Sequence, residues 1–100
     1  MTVVDNVVTQ RAKLVLFYSP RSGQSRRVDG YLAQVLQRRR NHTTFAIVRV
    51  NADAHPDLVT RFKVTKLPTL LVIDENRVRA RLSEPHGCVD ITRVLRPWLN

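Results

Sequence analysis

Short apolar runs of strand length, separated by segments with helical periodicity, constrain the fold of this chain most strongly. Residues 13–18 read KLVLFY and residues 45–50 read FAIVRV, and continuous apolar runs of this length indicate buried strands. Between them, apolar residues recur at spacings of three and four, which predicts an amphipathic helix that ends near residues 38–41, RRRN. The three arginines there suit the C-terminal end of a helix dipole. Because a helix separates them, the two strands should lie parallel in a right-handed βαβ unit.

The second half of the chain predicts a short helix, a hairpin and a final helix. The short helix begins after Asp53 or His55, with Pro56 in its first turn. Residues 69–73 and 77–82, TLLVI and RVRARL, flank a turn and indicate a hairpin. In its second strand arginines alternate with apolar residues, so one face should be buried and the other positive. The last helix follows from the helical spacing of four apolar residues, with Pro97 loosening its final turn: Ile91, Val94, Leu95 and Trp98.

The order strand, helix, strand, helix, hairpin, helix predicts an α/β fold, a three-layer sandwich around a four-stranded mixed sheet with flanking helices. A chain of 100 residues suits a single domain, here residues 1–100. A weaker helical pattern covers residues 5–11. No basic leader and no apolar run of about 20 residues is present, so we expect a cytoplasmic protein with no membrane partner.

The cysteine and histidine content narrows the possible chemistry. The one cysteine, Cys88, excludes an intrachain disulfide and a cysteine metal cluster. His42, His55 and His86 lack the paired spacing of metal ligands. We therefore predict no metal and no other cofactor.

The net charge of +9 is less ordinary. Fourteen of the seventeen basic residues are arginine, a side chain that favours bidentate recognition of carboxylate or phosphate. An anionic partner is one interpretation, and solvated arginine-rich faces without a partner are the other. Charge alone does not decide between them.

Two segments carry a resemblance to a known family. Residues 17–26 read FYSPRSGQSR and residues 66–73 read KLPTLLVI, and together with the hairpin turn DENRV they resemble the thioredoxin family over residues 11–99. The resemblance implies the thioredoxin fold and a cis peptide bond between Leu67 and Pro68. It also implies a face beside that bond where the backbone pairs with an extended peptide.

The departures from the family pattern bear on activity. Ser22 and Ser25 stand where the family has the two cysteines of Cys-Gly-Pro-Cys, and a serine hydroxyl cannot supply the thiolate that disulfide exchange requires. Leu16 stands where the family has a buried Asp, and Arg49 where it has the Lys that pairs with that Asp. We therefore expect no disulfide reductase activity. Because the sequence places no general base near them, Ser22 and Ser25 are interpreted as helix caps rather than nucleophiles.

The resemblance also places a binding face on this chain. Arg21 and Lys66 stand where the family has a Trp and a Gly, so the face should favour an acidic ligand. Our leading hypothesis is a non-catalytic binding or adaptor module that holds an acidic or extended protein segment there. The predicted binding residues are Arg21, Ser22, Gly23, Gln24, Ser25, Arg26, Lys66, Leu67 and Pro68.

Two alternatives remain open. The arginine-rich surface could bind nucleic acid or another polyanion weakly, although Phe45 and Trp98 are expected in the core and leave no base-stacking platform. A monothiol redox protein would act through Cys88, which falls near the start of the last helix, where the helix dipole favours a thiolate.

Overall fold

The computed structural model describes residues 12–99, in which four strands form one mixed sheet. The strand order is β2-β1-β3-β4; β1 is parallel to β2 and antiparallel to β3, and β3 is antiparallel to β4. The strand bounds are β1 Lys13–Tyr18, β2 Ala46–Asn51, β3 Thr69–Asp74 and β4 Arg77–Ser83. The helix predicted over residues 5–11 lies outside the described residues.

Helices cover both faces of the sheet, and the predicted three-layer α/β sandwich is confirmed. The helix bounds are α1 Gly23–Gln37, α2 Pro56–Arg61 and α3 Cys88–Leu95. Helices α1 and α3 pack on one face, where Leu14 and Leu16 of β1 meet Leu32 and Ile91. On the other face, Val15 and Phe17 of β1 form a second core with the residues of α2 and its C-terminal end: Leu58, Val59 and Phe62. Successive β1 residues thus enter opposite cores, as the two-residue period of a strand requires.

Strand β2 is less buried than the sequence predicts. Its run AIVRVN has the apolar character of a buried strand, yet Ile47 is 36% exposed and Val48 is 41% exposed. The reason is the strand order, because among the described residues β2 pairs only with β1. Phe45, just before the strand, is buried as expected, and its ring centroid lies 6.4 Å from that of Trp98.

The hairpin is present, but its second strand does not alternate along its whole length. Glu75 and Asn76 form the turn with φ values of 53° and 64°, the pair of positive values that a two-residue type I′ hairpin requires. The register between β3 and β4 shifts after the turn, since Ile73 pairs with Val78 and Val72 pairs with Ala80. Because Val72 and Ile73 point to opposite faces, Val78 and Ala80 do so too, and Val78 is exposed.

Two helix ends fall earlier than predicted. Helix α1 ends at Gln37, so Arg38 begins a separate 3₁₀ helix over Arg38–Thr43 rather than the last turn of α1. Helix α3 ends at Leu95, and Trp98 packs on the first core from beyond the helix. Pro97 explains this end, since its ring lacks an N–H and obstructs a continuing helix.

One arginine of the predicted positive face has a structural role instead. The Arg81 guanidinium donates to the carbonyl oxygens of Phe62 at 2.6 Å and Lys63 at 3.4 Å, which follow the C-terminal end of α2. These contacts tie β4 to α2 across the edge of the second core. Carbonyls at a helix end lack partners within the helix, so a cation is well placed there.

Replacing Arg81 should therefore destabilise the fold, whereas replacing a neighbouring arginine should not. We expect Arg81→Ala to lower the free energy of unfolding by about 1 kcal/mol, because a charge-assisted hydrogen bond is lost at an exposed site. Arg77→Ala is the matched control, since Arg77 makes no ion pair or side-chain hydrogen bond with the described residues. Urea denaturation of both variants measures the difference, and equal losses in the two would contradict the assignment.

Candidate functional site

The predicted binding residues gather at one end of the sheet, which we call the loop end. The register pairs Phe17 with Thr69, and Thr69 with Ser83, so the end of β1 lies beside the start of β3 and the end of β4. Parallel pairing of Tyr18 with Asn51 adds the end of β2. The loop end therefore brings together the segments that follow β1, β2 and β4 and the segment that precedes β3.

The first of these segments is a tight turn held by serine side chains. The Ser22 N–H donates to the Ser19 carbonyl at 3.1 Å, which closes the turn around Pro20. Ser22 is the N-cap of α1, and its Oγ accepts from the Ser25 N–H at 3.2 Å, so this capping prediction is confirmed.

Ser25 has a different role from the one predicted. Its Oγ accepts from the Ser19 N–H at 3.2 Å, so it supports the preceding turn rather than capping the first turn of α1. Ser25 is the third residue of α1, beyond the N-cap position, and it is only 3% exposed. Both hydroxyls are thus engaged with backbone groups of their own turn.

The side chains around this turn differ in their freedom to meet a ligand. The Arg21 side chain is 85% exposed, and its Nη2 lies 3.3 Å from Oδ2 of Asp53 in the loop after β2. Arg26 is exposed and forms no ion pair with the residues that the structure describes. Gln24 faces a small cavity beside Arg27, and Gly23 borders open space.

The segment before β3 presents free backbone. The Leu67–Pro68 peptide bond is cis, the isomer that the resemblance implies. The Lys66 carbonyl accepts from Thr69 Oγ1 at 2.6 Å, and the Pro68 carbonyl accepts from the Glu84 N–H at 2.7 Å. Between them, the N–H and C=O of Leu67 form no hydrogen bond with any described residue.

The charge of the loop end is more balanced than the sequence suggests. Arg21 is matched by Asp53, and a second acidic residue, Glu84, has its backbone bound to Pro68. Lys66 remains exposed and forms no ion pair within residues 12–99. The contact of Asp53 with Arg21 was not predicted, although the parallel strands β1 and β2 end at the same edge of the sheet and so place the loop after β2 beside the turn.

Leu16 and Arg49 occupy the region below the turn. Leu16 is 1% exposed and belongs to the first core. Arg49 of β2 reaches across to α1, where its Nε lies 2.8 Å from Oδ1 of Asp29. An apolar residue and an intramolecular ion pair therefore stand under the loop end.

A scan against models of protein families matches residues 2–96 to the thioredoxin model. The chain belongs to the thioredoxin family. Thioredoxin structures agree with the fold: the germline-specific thioredoxin Deadhead of Drosophila melanogaster shares 15% identity at a TM-score of 0.79, covering 98% of this chain and 90% of that one. Oxidised thioredoxin of Plasmodium falciparum shares 13% identity at a TM-score of 0.77, covering 100% and 93%. No curated protein matches the sequence.

This thioredoxin-family chain has one cysteine, and that residue lies away from the serine turn. Cys88 begins α3, and its partly buried Sγ lies 3.2 Å from Gln34 Oε1 and 3.7 Å from the Tyr31 carbonyl oxygen, either of which can accept its single S–H. Both partners belong to α1. Tyr31 lies nine residues beyond Ser22, about 13 Å along the helix axis.

Residues 12–99 contain no cluster of three or more histidine, cysteine or acidic side chains suited to a metal ion. Within the same range, no helix has the length and apolar character needed to cross a bilayer.

Proposed function

We propose that this thioredoxin-family chain is a non-catalytic binding module that holds an extended, acidic protein segment at the loop end of its sheet. The observation that carries the proposal is the backbone of Leu67, whose N–H and C=O have no partner among the described residues. An extended segment that paired with both groups would add a short strand beside the cis-proline, which is β-augmentation. This mode of binding requires no sulfur.

The serines support the non-catalytic part of the proposal. In the family resemblance Ser22 and Ser25 take the place of the two cysteines, and here their hydroxyls bind the backbone of the turn that carries them. A nucleophilic serine needs a base within hydrogen-bond reach, and neither Oγ has a histidine or carboxylate of the described residues as its hydrogen-bond partner. The turn is therefore interpreted as a shaped support for a ligand.

The preference for acidic ligands rests on Lys66 more than on Arg21. The Lys66 side chain is exposed and has no ion-pair partner in the described part of the chain, whereas Arg21 already has Asp53. A ligand carboxylate that pairs with Lys66 gains a charge-assisted contact without displacing another anion.

A designed acidic peptide serves as the probe for binding at the loop end. The peptide consists of five Glu-Thr repeats with a fluorescent label, and its affinity is measured by fluorescence polarisation. We expect Lys66→Glu to weaken binding more than tenfold, because a partly desolvated charged hydrogen bond contributes roughly 1.5 to 3 kcal/mol. Arg77→Glu is the matched charge reversal on the hairpin and should change the affinity less than twofold.

The backbone contribution is tested on the peptide itself. In an extended peptide, the N–H groups of alternate residues point to the same side. N-methylation of one alternate set should therefore abolish binding, whereas N-methylation of the other set should not. A peptide of Gln-Thr repeats should bind more weakly than the acidic one. Equal effects of Lys66→Glu and Arg77→Glu, or indifference to N-methylation of both alternate sets, would show that the loop end is not the binding site.

The same proposal predicts that the chain does not catalyse disulfide reduction. Dithiol exchange needs a second sulfur to resolve the mixed disulfide, and the sequence contains only Cys88. In an insulin reduction assay with dithiothreitol, the rate should equal that of reductant alone. Turnover above this background that disappears in Cys88→Ser would instead favour the monothiol alternative.

A second candidate function, binding of a polyanion, is favoured by a cleft at the other end of α1. This cleft has a volume of about 320 Å³ and is lined by Arg38, by Arg93 of α3 and by Arg96, which follows α3. Arg93 lies 4.0 Å from Asp90, while Arg38 and Arg96 form no ion pair with the described residues. Three guanidinium groups in one cleft suit successive phosphates of a nucleic-acid backbone.

Salt dependence separates this candidate from general charge attraction. Three phosphate contacts on a single strand should contribute about 2 to the slope of log affinity against log salt, since each contributes roughly 0.7. Substituting Arg38, Arg93 and Arg96 together by Gln should remove that part of the slope for an oligothymidine. The control triple of Lys13, Arg77 and Arg79 to Gln loses the same charge. If both triples reduce the slope equally, the attraction is diffuse.

A further inference from the structure

We infer that a cavity beneath the serine turn is a separate binding site for a small carboxylic acid with an apolar body. The cavity has a volume of about 540 Å³ and lies between the end of β1, the first turns of α1 and strand β2. This volume is typical of pockets that hold small organic ligands. The peptide proposed above pairs with backbone near Leu67, which does not line this cavity.

The walls nearest the core are apolar. Leu16 forms part of the lining from within the first core, and Tyr18 and Pro20 contribute a ring each. On the helix side, Gly30 supplies no side chain, and a methyl group added there would meet no atom within 4 Å outside its own helix. The space next to Gly30 is therefore open, and an apolar ligand body that filled it would remove these groups from water.

The charged groups select a single negative charge. Arg26 and Arg49 both line the cavity, and Asp29 is the one carboxylate in the lining. Asp29 accepts from Arg49 Nε at 2.8 Å, which leaves the charge of Arg26 without a counterpart among the described residues. One unmatched guanidinium fits a carboxylate, to which it can donate two parallel hydrogen bonds, better than it fits a doubly charged phosphate.

Three small probes separate the apolar and anionic requirements. The probes are 3-phenylpropanoate, its neutral amide 3-phenylpropanamide, and acetate. Their binding is followed by the backbone N–H chemical shifts of ¹⁵N-labelled protein at 150 mM salt. We expect 3-phenylpropanoate to shift the amide signals of residues 18, 19, 25–30 and 48–50 in a saturable way. The amide and acetate should each bind at least fivefold more weakly, because each lacks one of the two features.

Two leucine substitutions on α1 provide a matched pair. Gly30→Leu places a side chain in the cavity and should weaken the binding of 3-phenylpropanoate at least tenfold. The protein should be at least as stable as before, because leucine has a higher helix propensity than glycine. Ala33→Leu adds the same side chain one turn later at an exposed position that does not line the cavity, and should change the affinity less than twofold. Arg26→Gln provides a second route to loss of binding without filling the space.

The outcomes distinguish this inference from the proposed function. Undiminished 3-phenylpropanoate binding in Gly30→Leu, equal affinity for the amide, or shifts confined to Arg38, Arg93 and Arg96 would each overturn it. If the Glu-Thr peptide displaces the acid and also loses affinity in Gly30→Leu, the cavity belongs to the peptide site and a separate site is wrong. Retained peptide binding in Gly30→Leu, together with loss of the acid, supports two independent sites.

Discussion

Burial of β1 on both of its faces is the constraint on which the rest of this structure depends. Leu14 and Leu16 require a cover of helices on one side, and Val15 and Phe17 require one on the other. A strand that is apolar on both faces is stable only inside a sheet with helices above and below it. The end of this buried strand then fixes where the serine turn emerges, so the core determines the position of the candidate site.

The candidate site combines a rigid turn with a backbone segment whose hydrogen bonds are not all formed within residues 12–99. Ser19, Ser22 and Ser25 bind one another's backbone groups, which restricts the turn without help from a ligand. Leu67 lies between two residues whose carbonyls are already bound, and its own N–H and C=O have no hydrogen-bond partner among residues 12–99. If it binds a peptide as proposed, such a site would recognise the shape and direction of the chain first and its charges second.

The sequence predicts the local features of this protein well, but it predicts poorly the features that depend on contacts between distant segments of the chain. The continuous apolar run of β1 and the hairpin could be located because each depends on neighbouring residues alone. The exposure of Val48 could not, because it depends on which strands flank β2. The partners of Arg21 and Arg81 were also missed, since an arginine reads as a free positive charge until the fold places a carboxylate or a helix end beside it.

The ion pair between Arg21 and Asp53 has a consequence for any acidic ligand that reaches the turn. Such a ligand meets a carboxylate already held 3.3 Å from the guanidinium, so its binding to Arg21 is an exchange of one anion for another. The number of ion pairs does not change in that exchange, and both groups are exposed enough to be hydrated before and after it. Asp53 therefore acts as a tethered competitor, one that is never diluted because it belongs to the same chain. An anion that contacted Arg21 and no other group of the site would therefore gain little affinity from it.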